Sequence, residues 1–201
     1  MENEMHGWQW YGTKHLQVCP YMNGVPVYRD GMLPYLYTQL RQENHVAITF
    51  CGQNKTQDEF VSYFDRIKTL QVLCRVENDK NLKPIGFSWL DSPIGIDGAR
   101  MVRAGMAFFG GSAKTKDARD VSRLALAYAF IDLKIDVLHG YELIHNIPAR
   151  NFSARLGAKQ IAIVPNCFYW EGKLVAGRVM ELKKEDYLPK FNEWFEKQEK
   201  P

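Results

Sequence analysis

In the segment DVLHGYELI, His139 and Tyr141 stand two residues apart. On a strand that spacing puts both on one face and Glu142 on the other. An imidazole titrates near neutral pH and can take a proton from an incoming nucleophile, which makes His139 a candidate base. A second polar segment, GGSAKTKDARD, opens on Gly110 and Gly111 and carries the cations Lys114, Lys116 and Arg119. A third, HNIPARNFSARLGAKQ, opens on Asn146 and closes on Leu156-Gly157. Asn is a good helix N-cap, Pro suits the first turn, and Gly suits the left-handed residue after the last. No Ser-His-Asp or Cys-His spacing points to a covalent intermediate. Cys19, Cys51, Cys74 and Cys167 stand far apart, and His139 and His145 are the only close pair of histidines. A metal site is therefore not expected. Buried free thiols and a reducing, cytoplasmic compartment are.

The elements that must hold these residues follow from patterning. The 201 residues, 46% of them hydrophobic, suit one compact domain. Twenty-six basic and 23 acidic side chains give a net charge of +3, too near balance to indicate nucleic acid or a membrane surface as partner. No apolar run reaches the length of a spanning helix. The start, MENEMHGWQWYGTKH, lacks the layout of an export signal.

Residues Trp8 to Tyr28 read as short strands or extended loop. Leu33, Leu36, Tyr37 and Leu40 predict a helix over Pro34–Arg41, and VAITF reads as a short strand or an extended segment. Thr56 and Glu59 form a capping box, and Phe60, Tyr63, Phe64 and Ile67 an apolar stripe, over a helix from Gln57 to Leu70. Three strands follow: QVLCRVE, its hairpin partner KPIGFSWLD, and GARMVRAGMAFF. The last turns Val102, Ala104, Met106 and Phe108 to one face, with Gly105 as a candidate bulge. Val121, Leu124, Ala125, Tyr128 and Ile131 mark a strong helix. The strand DVLHGYELI, the helix of Asn146, two strands around Glu171-Gly172 and an amphipathic terminal helix with Phe191, Trp194 and Phe195 complete the chain. Hairpins imply antiparallel pairing, and the strand-helix-strand unit from Ala99 to Leu143 implies one parallel pair. The fold class is α/β (α+β): a mixed, mostly antiparallel sheet with helices on both faces.

From Gln71 to Leu182 this order resembles the GCN5-related N-acetyltransferase (GNAT) superfamily. In that family an Asn opens a helix after a strand and a Leu-Gly or Phe-Gly pair closes it. Asn146, Ala149 and Gly157 match that spacing, and EGKLVAGRVMEL resembles the family's late hairpin and last strand. The phrase LALAYAF looks like the ribosomal-protein acetyltransferase branch, and the block from Phe60 through GFSWL resembles bacteriophage members. On this resemblance residues 1–65 form an N-terminal elaboration on the acceptor side, 66–183 the acyl-CoA-binding core and 184–201 a C-terminal helix, all in one domain.

The resemblance implies acetyl-CoA as cosubstrate, no metal, and transfer of acetyl to a primary amine. A helix N-terminus suits the pyrophosphate, and a strand splayed from its neighbour leaves amides free for the pantetheine arm and the thioester carbonyl. The amides of Phe108 and Phe109 are the candidate carbonyl donors. Gly110 to Asp120 forms the phosphate loop, with Gly110, Gly111, Lys114, Lys116, Ala118 and Arg119 as contacts and the helix starting near Ala118. Asn146 holds the arm or the strand-helix junction, and Phe152 lines the arm. His139 and Tyr141 look toward the acceptor groove. Ser153 stands where the family has its Tyr general acid. Ala118 and Asp120 stand where the family's loop has small residues, and a carboxylate beside a pyrophosphate is repulsive. A GNAT-fold binding or assembly module without turnover is the alternative reading. The amine acceptor is a small molecule or a protein, and homodimers are common in the family.

Overall fold

One eight-stranded sheet, in the order β1-β2-β3-β4-β5-β6-β8-β7, carries helices on both faces. The computed structural model describes residues 11–20, 28–43, 45–50, 52–53, 56–65, 69–77, 81–94 and 100–198. Strands β1 (Tyr11–Gly12) and β2 (Leu16–Pro20) form the first edge; of the predicted Trp8–Tyr28 segment, residues 8–10 and 21–27 lie outside the described residues. Then come α1 (Leu33–Gln42), α2 (Val46–Thr49) and α3 (Gln57–Asp65). Strands β3 (Thr69–Val76), β4 (Leu82–Ile94) and β5 (Met101–Phe108) follow as an antiparallel run. The remainder alternates: α4 (Lys116–Ile131), β6 (Val137–Leu143), α5 (Ile147–Arg155), β7 (Lys159–Trp170), β8 (Lys173–Lys183) and α6 (Lys184–Gln198).

Two corrections concern the N-terminal third. VAITF is helical rather than extended, because Val46 and Phe50 are wanted on one face, where they join an aromatic cluster. The capping box of α3 is present in both directions, Thr56 N to Glu59 Oε2 at 3.1 Å and Glu59 N to Thr56 Oγ1 at 3.2 Å. The helix is described over Gln57–Asp65, residues 66–68 with Ile67 of the expected stripe lie outside the described residues, and Leu70 belongs to β3 rather than to the helix.

The two cores explain the layering. On one face, Val121, Leu124 and Ala125 of α4 pack with Val18, Leu73, Phe108 and Leu138 of the sheet and with Tyr187 and Phe191 of α6. Ile131, the last residue of the predicted stripe, is exposed. On the other face, Leu36, Leu40, Phe60 and Phe64 of α1 and α3 pack on Phe87, Trp89 and Ala107. The thiols are not uniformly buried: Cys74 is, Cys19 is half-buried 3.9 Å from it, and Cys167 is exposed. Cys51 lies outside the described residues.

Gly105 is not a bulge. It sits in register opposite Trp89, and the irregularity falls in β4 between Asp91 and Pro93. Gly105 is needed for space, since a Cβ there would lie 2.1 Å from the Trp89 ring. Gly105→Ala is expected to cost roughly 1–3 kcal/mol, as overpacked cores do. Urea unfolding measures it; a variant as stable as the parent would show that the indole moves aside freely.

Candidate functional site

The sheet opens between β5 and β6, its only parallel neighbours among the described residues. Strands β5 and β6 pair at Met101–Val137, Val102–Leu138 and Arg103–His139, and there the pairing ends, although both strands run on. Each is held on its other side for its full length, β5 by β4 and β6 by β8. Neither can bend to close the gap without giving up that ladder.

Register decides which backbone groups face the gap. The amide of Phe109 donates to Ile85 O at 3.1 Å. The alternation of an antiparallel ladder then turns Gly105 and Ala107 to β4 as well, and Met106 and Phe108 toward the gap. On the far side Ile144 N donates to Ala176 O at 3.1 Å, which by the same alternation turns Tyr141 and Leu143 toward β5. Of the two expected carbonyl donors, Phe108 therefore has its amide in the gap. The Phe109 expectation is corrected: its amide is taken by β4.

Beyond β5 the chain turns through Gly110 (φ 65°) and Gly111 (φ 68°), a left-handed pair that side chains disfavour. Helix α4 starts at Lys116, two residues before the expected start, with Thr115 as N-cap. Thr115 Oγ1 accepts the amide of Ala118 at 3.2 Å, and Ala118 is fully buried in the core. The assignment of Ala118 as a cofactor contact is thus corrected: neither its amide nor its methyl is available. Asp120 does not face the loop as a bare charge; it is buried, with Oδ1 2.8 Å from Arg123 Nη1 and Oδ2 3.6 Å from Lys116 Nζ. Asp117 pairs with Arg75 at 2.7 Å and pins the first turn to β3. Lys114 is exposed and Arg119 partly so, and neither has an ion-pair partner among the described residues. The amide of Gly110 donates to the carboxylate of Glu43, at the C-terminal end of α1.

Asn146 caps α5 as its position implies, with Oδ1 accepting the amide of Ala149 at 3.1 Å and its own amide donating to Leu143 O at 2.9 Å. It thereby fixes the strand-helix junction at the mouth of the gap. Phe152 of α5 meets Phe108 of β5, ring centroids 5.4 Å apart.

On the face toward α1 and α3, His139 and Tyr141 do share a side. His139 Nε2 lies 3.3 Å from Glu181 Oε2, and the imidazole is largely buried. Beside it, at the point where β5 and β6 part, Arg103 pairs with Asp91, which also accepts the hydroxyl of Tyr63 at 3.1 Å. Glu181, Arg103 and Asp91 were not singled out in the sequence. The only signal was Glu181 in the last strand, and its partner is set by the β6–β8 register. Ser153 is not brought to His139 and Tyr141. Its hydroxyl donates to Glu142 Oε1 at 2.6 Å on the opposite face. Burial holds the Glu142 carboxyl above its ordinary value, against the hydrogen bond from Ser153 and the charge of Arg178.

A mixed sheet parted between two parallel strands, with a glycine turn and a helix start at the mouth of the gap, is the fold of the GNAT acetyltransferases. Solved structures share it. A GCN5-related N-acetyltransferase from Brucella melitensis superposes with a TM-score of 0.69 at 13% identity, over 94% of this chain and 84% of that one. Spermidine N-acetyltransferase from Vibrio cholerae, solved with CoA and spermine, gives 0.67 at 17% over 86% and 98%. The ribosomal-protein-S5-alanine acetyltransferase from Vibrio fischeri gives 0.66 at 12% over 90% and 100%. At these identities the likeness is one of fold. No family model matches the sequence, and no curated protein matches it. No described helix is long and apolar enough to cross a membrane.

Proposed function

We propose that this chain is an acyl-CoA-dependent N-acyltransferase that passes acetyl to a primary amine by direct attack. One observation carries the reading: two parallel strands part after three residue pairs and leave backbone amides facing the gap. Acetyl-CoA, when bound, supplies the acyl group as a thioester. The residues fit it. The gap offers the amides of Met106 and Phe108, Gly110 and Gly111 turn the chain at its mouth, and Lys114, Lys116 and Arg119 supply positive charge beside the start of α4. Phe152 walls the gap on the α5 side.

In this reading the Phe108 amide polarises the acyl carbonyl. His139, braced by Glu181, takes the proton of the attacking amine. Tyr141, half-exposed on the same face, offers its hydroxyl proton to the departing sulfur. Residues 1–65 complete the acceptor side, since α1 and α3 cover that face of the sheet.

Thermal unfolding with and without acetyl-CoA tests the reading. A ligand at a hundred times its Kd adds about 2.7 kcal/mol. The enzyme reading expects that shift together with amine-dependent release of CoA. The second reading, a module of GNAT fold without turnover, draws on the Glu43 carboxylate that holds the Gly110 amide where a phosphate would approach. A chain that neither shifts nor releases CoA would fit only that second reading.

A further inference from the structure

We propose that the cavity beside the strand gap takes a primary amine with a single positive charge on an apolar body, and that it selects against polyamines. The inference rests on the acyl-transfer reading, of which it names the acceptor class. A cavity of about 240 Å³ lies on the face of His139, between β5, β6 and the β7–β8 hairpin. It holds about eight water volumes, the bulk of one small amine. Arg103 and Tyr141 line it beside the point where β5 and β6 part, and Val164, Phe168 and Val179 give it apolar walls. Gly177 makes those walls possible. A Cβ there would lie 2.4 Å from the Phe168 ring and from Cys167 Sγ, so only a glycine lets the ring lie over β8.

Charge decides the class. Asp91 pairs with Arg103. Glu181 pairs with His139 at 3.3 Å and has Lys183 Nζ at 3.9 Å. Among the described residues on this face Asp91 is matched by the Arg103 guanidinium, while Glu181 has as its nearer partner an imidazole that carries charge only when protonated, which leaves one carboxylate for one ammonium. His139 and Glu181 do not line the cavity itself; they stand on the same face, two residues along β6 and β8 from the lining residues Tyr141 and Val179, so one ammonium group at that end can be met by Glu181 and lose its proton to His139. A second or third, along a polyamine, would find apolar side chains and the Arg103 guanidinium, and would be desolvated with no counter-charge. An apolar body finds the reverse.

The test is calorimetric titration of the full chain, without acetyl-CoA, with leucinamide and with spermidine, two amines of similar bulk and different charge. Leucinamide is expected to saturate, with spermidine weaker by about tenfold or more. Val164→Glu adds an unmatched carboxylate to the cavity's wall at a position open to solvent. It is expected to strengthen spermidine binding about tenfold relative to leucinamide. Cys167→Asp, on the same exposed segment, makes the same test should Val164→Glu not fold. Tighter binding of spermidine by the parent chain, saturation by neither amine, or no shift of preference in the variants would each overturn the proposal. Amine binding is read in the absence of acetyl-CoA. A failure of the acyl-transfer reading, seen as no stabilisation by acetyl-CoA, is therefore distinct from a failure here.

Discussion

In the proposed reaction, His139→Ala is expected to lower kcat by roughly 10²–10⁴-fold, the range general-base groups contribute. The KM for acetyl-CoA should change little, because the imidazole lies on the acceptor face rather than along the gap. Glu181→Gln keeps the shape and a hydrogen-bond acceptor but removes the charge 3.3 Å from Nε2. It should fall between the parent and His139→Ala in kcat, with a changed pH profile, which a merely structural neighbour would not give. Initial rates of CoA release across pH measure both. A His139→Ala enzyme with the parent's kcat would remove His139 from the mechanism and leave the acetyl-CoA reading of the gap standing.

The largest expected effect on stability comes from the opposite face. Glu142 is 8% exposed and Arg178 4%, with Oε2 and Nη1 3.5 Å apart. Arg178 donates from Nε to Gln160 Oε1 at 2.8 Å and from Nη2 to Ile144 O at 3.0 Å, so the guanidinium ties β7 to the end of β6. Glu142→Ala leaves that charge buried without a partner, and breaking a buried pair from one side costs about 3–5 kcal/mol. The double replacement Glu142→Leu, Arg178→Met should cost much less, because it removes both charges. Urea unfolding at neutral pH distinguishes the two. An equal loss in both would mean that packing, not charge, sets the effect.

The same carboxyl gives a pH signature. Burial raises its pKa in the folded chain, so the folded state binds that proton more readily than the unfolded one. The contribution to stability is complete below the carboxyl's unfolded pKa and is lost as pH rises through the raised folded value. Glu142→Gln lacks it. The stability of the parent relative to Glu142→Gln should therefore grow as pH falls through that window.

How much of this was legible depended on the range of the interaction involved. The cap at Asn146, the capping box of Thr56 and Glu59, the apolar face of β5 and the Glu171-Gly172 turn are local. Their partners lie within a few residues, and each was read from spacing alone. VAITF failed because a five-residue segment is too short to show a period of its own, and the aromatic cluster below it decided for helix. Gly105 failed for a related reason: an isolated strand glycine signals a close approach as well as a bulge, and only the register with Trp89 says which.

The site divides along the same line. By itself the sequence determined the order of elements from β3 onward, the parallel pair, the glycine turn before α4 and the shared face of His139 and Tyr141. Each follows from backbone periodicity and turn chemistry within one or two elements. Only the tertiary structure decided where β5 and β6 part, which of Phe108 and Phe109 keeps a free amide, and that Ala118 is spent in the core. It also decided that His139 meets Glu181 and that Ser153 meets Glu142. These depend on ladder register and on side chains brought together from distant positions, and a single chain read in order carries no signal for which distant partner a strand will choose.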